Sequence, residues 1–243
     1  MNVCTPKLCD AYPASVNLHE RDAPHGARVF TRYAPRVSEP VSRSEQKERT
    51  RRALLDAALE RSLEAGLSGL SLRQVAKEVG IVPTAFYRHF DSLDDLGLAL
   101  VAESFASLRE MMREVRRGEP APAEIIALSV STLTAHVRER REHFAFIARE
   151  EAAGPPVVRQ AVRHELDQVE RELTTDLARL APRWSHEDLQ VLAHLIVGAM
   201  VNTVRDLLAA GSAAAEDAVA HGAERQLRMV VVGALQWRSD YPD

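Results

Sequence analysis

The sequence is poor in cysteine, aromatic residues and long apolar runs, and each scarcity excludes a class of protein. Cys4 and Cys9 are the only cysteines, and no further cysteine completes a metal-ligand set. We therefore interpret them as reduced thiols in a loose tail rather than a metal or redox pair, and expect no metal, no cofactor and a cytoplasmic location. No apolar run reaches the ~18–20 residues that span a bilayer. The first ten residues lack the pattern of a secretory signal.

Motifs of enzyme chemistry are also missing. The dipeptide His-Glu occurs at 19–20, 164–165 and 186–187 but never extends to His-Glu-x-x-His, and Glu-x-x-His is absent. Glycine-rich phosphate loops and Gly-x-Ser-x-Gly do not occur. The histidines are dispersed, and we interpret the following as surface or satisfied core residues: His136, His143, His164 and His194. An enzyme on a helical scaffold is the alternative that these observations disfavour.

Charge is distributed unevenly along the chain. The net charge is −4, yet residues 1–44 carry six basic and four acidic side chains, and residues 45–92 carry eight and seven. The remaining 151 residues carry 17 basic and 24 acidic side chains. The acidity therefore lies in the C-terminal part, an asymmetry too mild to identify a partner by itself.

Helical periodicity begins near Ser42 and continues almost to the end of the chain. Residues 1–41 are proline-rich and aperiodic, which predicts a disordered extension or a start codon placed too far upstream. Apolar residues then recur every three or four positions, with no run of period-two alternation. The sequence predicts an all-α protein of about nine helices. Capping signals at helix starts pair a serine with an acidic residue or glutamine three positions on, at Ser42, Ser71, Ser92 and Ser185.

The last two predicted helices are apolar on nearly every side. Residues 189–204 and 227–237 have no polar face, so both sides of each helix must be covered. A central position in a large bundle is one explanation. Two such helices in succession favour a homodimer through a four-helix interface, in which Gly198 and Gly233 allow close approach.

Residues 71–90, SLRQVAKEVGIVPTAFYRHF, predict a helix-turn-helix. A two-turn helix ends at Val79, Gly80 makes the sharp turn, and a second helix begins at Pro83 or Thr84. Spacing places Phe86 and Phe90 in the core. The second helix can enter a DNA major groove, and the predicted contacts with an operator are Ser71, Arg73, Pro83, Thr84, Tyr87, Arg88 and His89, with Lys47 and Arg51 on flanking phosphates. An ordinary solvated charge at Arg88, and a cap or surface residue at His89, are the alternatives.

Residues 80–90, GIVPTAFYRHF, preceded by Ser-Leu-Arg-x-Val-Ala, resemble the DNA-binding signature of TetR-family regulators. The resemblance implies a three-helix DNA-binding domain at 42–92 and a helical ligand-binding and dimerisation domain at 93–238, followed by a tail at 239–243. It also implies a homodimer on a double-stranded palindromic operator, with a small hydrophobic effector. Many members have a phosphate-contacting lysine where this chain has Leu93, so that contact should be absent.

Further segments resemble the FabR/DesT-like branch, which represses unsaturated fatty-acid synthesis. They are SVSTL at 129–133, Phe-x-x-x-x-Arg-Glu at 144–150 and QLRMVVVGALQW at 226–237. This resemblance implies a long-chain acyl-CoA effector.

An acyl chain needs an apolar tunnel, and seven residues are predicted to form it. These are Leu108, Met112, Phe144, Ile147, Ile196 and Met200, with Arg149 at its mouth. Each apolar position could equally belong to a filled core, and Arg149 could form a surface ion pair instead. A repressor of efflux or catabolic genes with another hydrophobic ligand is the alternative function. The scarcity of aromatic residues in the C-terminal half argues against a pocket for aromatic cations.

Overall fold

The structure, a computed structural model, describes residues 42–117, 124–181 and 184–237. The predictions for residues 1–41 and 239–243 lie outside these ranges. The described residues form nine α-helices and one 3-10 turn and contain no β-strand, which confirms the all-α prediction. The helices are α1 Arg43–Ala65, α2 Leu72–Glu78, α3 Pro83–Phe86, α4 Leu93–Arg117, α5 Ile125–Glu139, α6 Arg141–Ala153, α7 Pro156–Leu180, α8 His186–Ala209 and α9 Ala213–Gln236, with the 3-10 turn at Leu67–Gly69.

Serine side chains cap three of the four helices for which the sequence predicts such a cap. In each, the serine Oγ accepts a hydrogen bond from the backbone N–H three residues on, at Ser42, Ser92 and Ser185. At α1 the reciprocal bond also forms, because the Ser42 N–H donates to Glu45 Oε2 at 2.8 Å. These bonds satisfy N–H groups that a helix start leaves without partners.

The fourth predicted cap was wrong. Ser71 precedes α2, but its side chain makes no capping hydrogen bond, and only its carbonyl accepts from Gln74 and Val75. Packing fixes this short helix instead, since Val75 and Ala76 are fully buried. The Ser71 hydroxyl is therefore not used by α2.

The largest hydrophobic cluster joins the first three helices to α4, α6 and α7. Phe86 from α3 and Phe105 from α4 lie in the same cluster as Phe146 from α6 and Val158 from α7. The hydrophobic core is thus continuous across the predicted boundary at residue 92. Two smaller clusters lie among α4, α5, α6, α8 and α9; they are Met111, Leu133, Val137, Phe144 and Leu207, and Val130, Ala199, Ala223 and Leu227.

The last two helices leave large apolar side chains in solvent. The exposed residues of α8 and α9 and the position that follows them are Val191, Leu195, Met229, Val232, Leu235 and Trp237, each more than half exposed. A Cβ placed on Gly198 or Gly233 would meet no atom within 4 Å. Although no uninterrupted apolar run is long enough to span a bilayer, α8 is, among the described residues, the one helix long and apolar enough on average to cross a membrane, with a mean hydropathy of 1.5. A core or interface helix of a globular protein has the same character.

Candidate DNA-binding site

The turn between α2 and α3 is a Schellman motif. Gly80 has a φ of 75°, which glycine adopts without a steric penalty. The Ile81 N–H donates to the Ala76 carbonyl at 2.9 Å, and the Gly80 N–H donates to the Lys77 carbonyl at 3.1 Å. Ile81 packs against the main core, so the turn fixes the direction in which the second helix leaves.

Two buried rings anchor the second helix. Phe86 is fully buried and Phe90 is 2% exposed, and their ring centroids lie 5.7 Å apart. Hydrogen bonds from the Arg88 and His89 N–H groups continue the helical path as turns beyond α3. The sequence-based assignment of the two phenylalanines to the core therefore agrees with their positions.

The outer edge of α3 is open to solvent. Tyr87 is 58% exposed, with its ring held edge-on against Phe86 at 5.8 Å. Thr84 and Arg88 are exposed beside it.

Several cations of α1, α2 and the turn after α3 have no acidic partner in the part of the chain that the structure describes, among them Lys47, Arg73, Lys77 and Arg88. Other cations of the same region are neutralised, since Arg52 pairs with Glu103 and Arg61 with Glu78. Cations without partners are available to phosphates, which attract most of the hydrogen bonds in protein–DNA complexes.

Two predicted contact residues lie deeper than expected. Arg51 donates to the His89 carbonyl at 3.1 Å, and its guanidinium lies 4.3 Å from the centroid of the Phe90 ring. It therefore ties α1 to the end of the second helix, and its predicted phosphate contact stays a prediction. His89 is half-buried, and its Nδ1 is buried without a hydrogen-bond partner. Leu93, at the position of the family's lysine, packs against the main core.

The electrostatics of His89 predict that operator binding strengthens as pH falls. Burial lowers the pKa of His89, and the nearby charges of Lys47, Arg51 and Arg88 lower it further, while Glu48 raises it. The free protein therefore holds His89 neutral at pH 7, whereas a phosphate favours the charged ring. We expect affinity for an operator duplex to be severalfold higher at pH 6 than at pH 8, by titration at constant salt. His89→Gln should lose this dependence and His164→Gln should keep it; an unchanged profile in His89→Gln would contradict the assignment.

Arg149 and Glu150 connect α6 to the end of α1. The Arg149 guanidinium donates to the carbonyls of Leu63 and Glu64 at 2.9 and 3.0 Å, where a helix leaves carbonyls without partners. In the described ranges Arg149 forms these two carbonyl bonds and no ion pair, and its predicted place at the mouth of a ligand tunnel stays a prediction. Arg149 lies on an open groove of about 350 Å³, and the residues lining it are Leu63, Arg141, Glu142, Ala145 and Arg149.

Glu150 was missed by sequence reasoning. Its side chain is 1% exposed, and its Oε1 accepts from the Leu67 N–H at 2.9 Å. Its Oε2 is buried without a hydrogen-bond partner. Burial raises the pKa of Glu150, and the Leu67 hydrogen bond and the Arg149 charge oppose that rise. The available signal was that Glu150 follows Phe146 and Ile147 by four and three residues, on the same helix face, but its partner lies 83 residues away.

The structure brings together four of the seven predicted ligand residues. Leu108, Met112, Phe144 and Met200 all belong to the cluster centred on Met111 and Leu207. Ile196 packs against the neighbouring cluster, which it shares with Met200. Ile147 packs against the main core, which Leu108 also contacts.

A basic groove lies next to this cluster on the same helix. It has a volume of about 410 Å³, and its lining residues at the end of α4 are Glu110, Arg113, Arg116 and Arg117. The arginines are paired, Arg113 and Arg117 with Glu110, and Arg116 with α7 carboxylates. Its lining residues lie on both sides of Met112 in the sequence, from Glu110 to Arg117.

A helix-turn-helix with an exposed edge and unpaired cations defines a DNA-binding regulator. The family described as bacterial regulatory proteins, tetR family, matches residues 54–100, and the tetracyclin repressor-like C-terminal domain matches residues 128–233. An uncharacterised HTH-type transcriptional regulator of Haemophilus influenzae is 37% identical over 163 residues, 67% of this chain and 77% of that protein. The chain belongs to the TetR family of transcriptional regulators. Family membership also confirms the prediction that it is not an enzyme.

Solved structures of the family share the fold. A TetR transcriptional regulator from Chloroflexus aurantiacus has a TM-score of 0.60 and 19% identity, covering 75% of this chain and 96% of that one. The transcriptional regulator FadR from Bacillus subtilis, in complex with stearoyl-CoA, has a TM-score of 0.59 and 19% identity, covering 75% and 98%. These likenesses concern the fold alone.

Proposed function

We propose that the protein is a cytoplasmic repressor that binds a palindromic operator as a homodimer and responds to long-chain acyl-CoA. The observation that carries this proposal is an adaptable apolar cluster and a basic groove on α4, the helix that begins directly behind the DNA-binding edge. The controlled genes are those of fatty-acid synthesis or desaturation.

Operator binding is assigned to the exposed edge of the helix-turn-helix. Thr84, Tyr87 and Arg88 face the major groove, and Arg73 and Lys47 contact phosphates beside it. Pro83 lies at the entry of the second helix and Ser71 has a free hydroxyl at the preceding helix start. In a two-fold dimer the two edges lie about one helical turn of DNA apart, ~34–36 Å.

Homodimerisation is assigned to the outer faces of α8 and α9. Six large apolar side chains are exposed there, and Gly198 and Gly233 leave open space for close approach. A two-fold interface buries the same patch from both copies. The apolar character of α8 is then explained by a protein partner, with no membrane involved.

The effector is assigned to the cluster that contains Leu108, Met112, Phe144 and Met200. Methionine is flexible and adapts to irregular apolar chains. The adjacent arginines of the basic groove are chemically suited to the phosphates of CoA, which would displace their present carboxylate partners. The Bacillus subtilis FadR, which shares the fold, was solved with stearoyl-CoA.

Coupling between the two sites has two physical routes. α4 carries Leu108 and Met112 of the cluster and begins at Leu93, just after the DNA-binding edge. α6 carries Phe144 of the cluster and, one and a half turns on, the Arg149 bonds to α1. A ligand shifts the population toward the arrangement that it binds better.

Two assays test the acyl-CoA proposal. We expect native mass spectrometry of the purified full chain to reveal a bound acyl species. We also expect stearoyl- or oleoyl-CoA, and not CoA alone, to raise the melting temperature and change operator affinity by about 5–150-fold. Indifference to every acyl-CoA, with a response to another hydrophobic compound, would instead favour a repressor of efflux or catabolic genes.

A further inference from the structure

The N-terminal end of α3 presents apolar atoms at a position where a DNA-binding helix normally presents hydrogen-bonding groups. Val82 is 64% exposed, and Pro83 and Thr84 beside it are exposed too. The first turn of α3 contains no Arg, Lys, Asn or Gln, the residues that recognise a base edge through two hydrogen bonds. Pro83 has no N–H to donate.

Val82 also has no role in the fold that would explain its exposure. It occupies the N-cap of α3, where Ser, Thr, Asp or Asn would accept a hydrogen bond, and no side-chain capping bond forms. Its side chain lies outside the main core, in contrast with Ile81 before it and Phe86 after it. The fold therefore loses a cap at this position and gains no buried contact.

The surroundings of Val82 suit a DNA base edge. Arg73 and Arg88, on either side in the sequence, have no acidic partner in the part of the chain that the structure describes. Arg73 can hold a phosphate beside the groove, while Arg88 and the N-terminal residues of the second helix approach the bases. An apolar group at that point has one distinctive partner in the major groove, the 5-methyl group of thymine.

We propose that Val82 is a specificity-determining residue that contacts a thymine 5-methyl group in each operator half-site, supported by the Thr84 methyl and the Pro83 ring. This inference rests on the proposed operator binding. Val82 then discriminates that base pair by apolar contact, whereas Arg88 recognises bases through hydrogen bonds.

Uracil provides the test, because it differs from thymine only by the methyl group. The full-length protein first selects duplexes from a random pool, and each thymine of the selected duplex is then replaced singly by deoxyuridine. We expect the replacement of one thymine in each half-site to weaken binding. Loss of that methyl group should weaken binding about fourfold, and loss of both symmetry-related methyl groups should weaken it about sixteenfold. At every other thymine the replacement should change affinity little.

Variants link the methyl effect to this residue. Val82→Ala should weaken binding to the thymine duplex by several-fold, yet bind the thymine and uracil duplexes equally. Val157→Ala, which also truncates an exposed valine, should keep the full discrimination. Specific binding with no sensitivity to any uracil, or discrimination that survives in Val82→Ala, would overturn the inference while leaving operator binding intact. Failure to select any duplex would overturn operator binding itself.

Discussion

Val232→Glu is expected to convert the proposed dimer into a monomer and to reduce operator affinity by about 10³-fold or more, to the level of non-specific binding. Val232 is 60% exposed on α9, beside Gly233, where a neighbouring chain can approach closely. Two-fold symmetry places both introduced carboxylates in one apolar interface, and an unpaired charge there is strongly unfavourable. A monomer would present one DNA-binding edge to an operator that is proposed to contain two half-sites.

Sedimentation velocity measures the oligomeric state, and titration of a fluorescent operator measures affinity. Val157→Glu is the matched control, because it introduces the same charge at another exposed valine, on α7. It should remain dimeric and bind normally. Circular dichroism should show an unchanged helical content for both variants. A dimeric Val232→Glu protein with normal affinity would show that the interface lies elsewhere.

Glu150→Ala is expected to lower the free energy of unfolding by about 1–3 kcal/mol, because it leaves the buried Leu67 N–H without a partner. The melting temperature should fall by roughly 2–12 °C. Glu151→Ala on the same helix is the control. Glu151 forms a surface ion pair with Arg205, which contributes little to stability. Equal melting temperatures for Glu150→Ala and the wild type would contradict a structural role for the Leu67 bond.

Glu150→Gln separates the hydrogen bond from the charge. Glutamine keeps a carbonyl that can accept from Leu67, and it carries no charge to desolvate. Burial raises the pKa of Glu150, so the folded state binds its proton more tightly than the unfolded chain does. Wild-type stability is therefore lost as pH rises from the ordinary carboxyl range through the raised pKa. Glu150→Gln should gain stability over the wild type across that window and match it at lower pH, and parallel curves would refute the assignment.

Local signals predicted the DNA-binding part of the chain well. Gly80 predicts a left-handed turn and the spacing of Phe86 and Phe90 predicts a buried face, because both depend on neighbouring backbone. The predicted cap at Ser71 was wrong because the packing of Val75 and Ala76 in the core fixes α2 without a local side-chain hydrogen bond. At this helix, tertiary packing outweighed the local capping signal.

Features that depend on distant partners could not be predicted. Nothing near Arg149 or Glu150 in the sequence indicates that they bind the end of α1 and the turn at Leu67, more than 80 residues earlier. Helical period placed Leu108, Met112, Phe144 and Met200 on inward faces, and the structure joins them in one cluster. Helical periodicity also predicted that Ile147 faces inward, but periodicity does not identify the hydrophobic cluster that an inward side chain contacts.

The continuous core beneath the helix-turn-helix has a consequence for building chimaeric regulators. Phe86 packs in one cluster with Phe105, Phe146 and Val158, so α1 to α3 share a hydrophobic core with α4, α6 and α7. A fragment that ends at residue 92 would expose that interior and should not fold alone. Grafting this operator specificity onto another sensor would therefore require transplanting the facing surfaces of α4, α6 and α7, or repacking them to match.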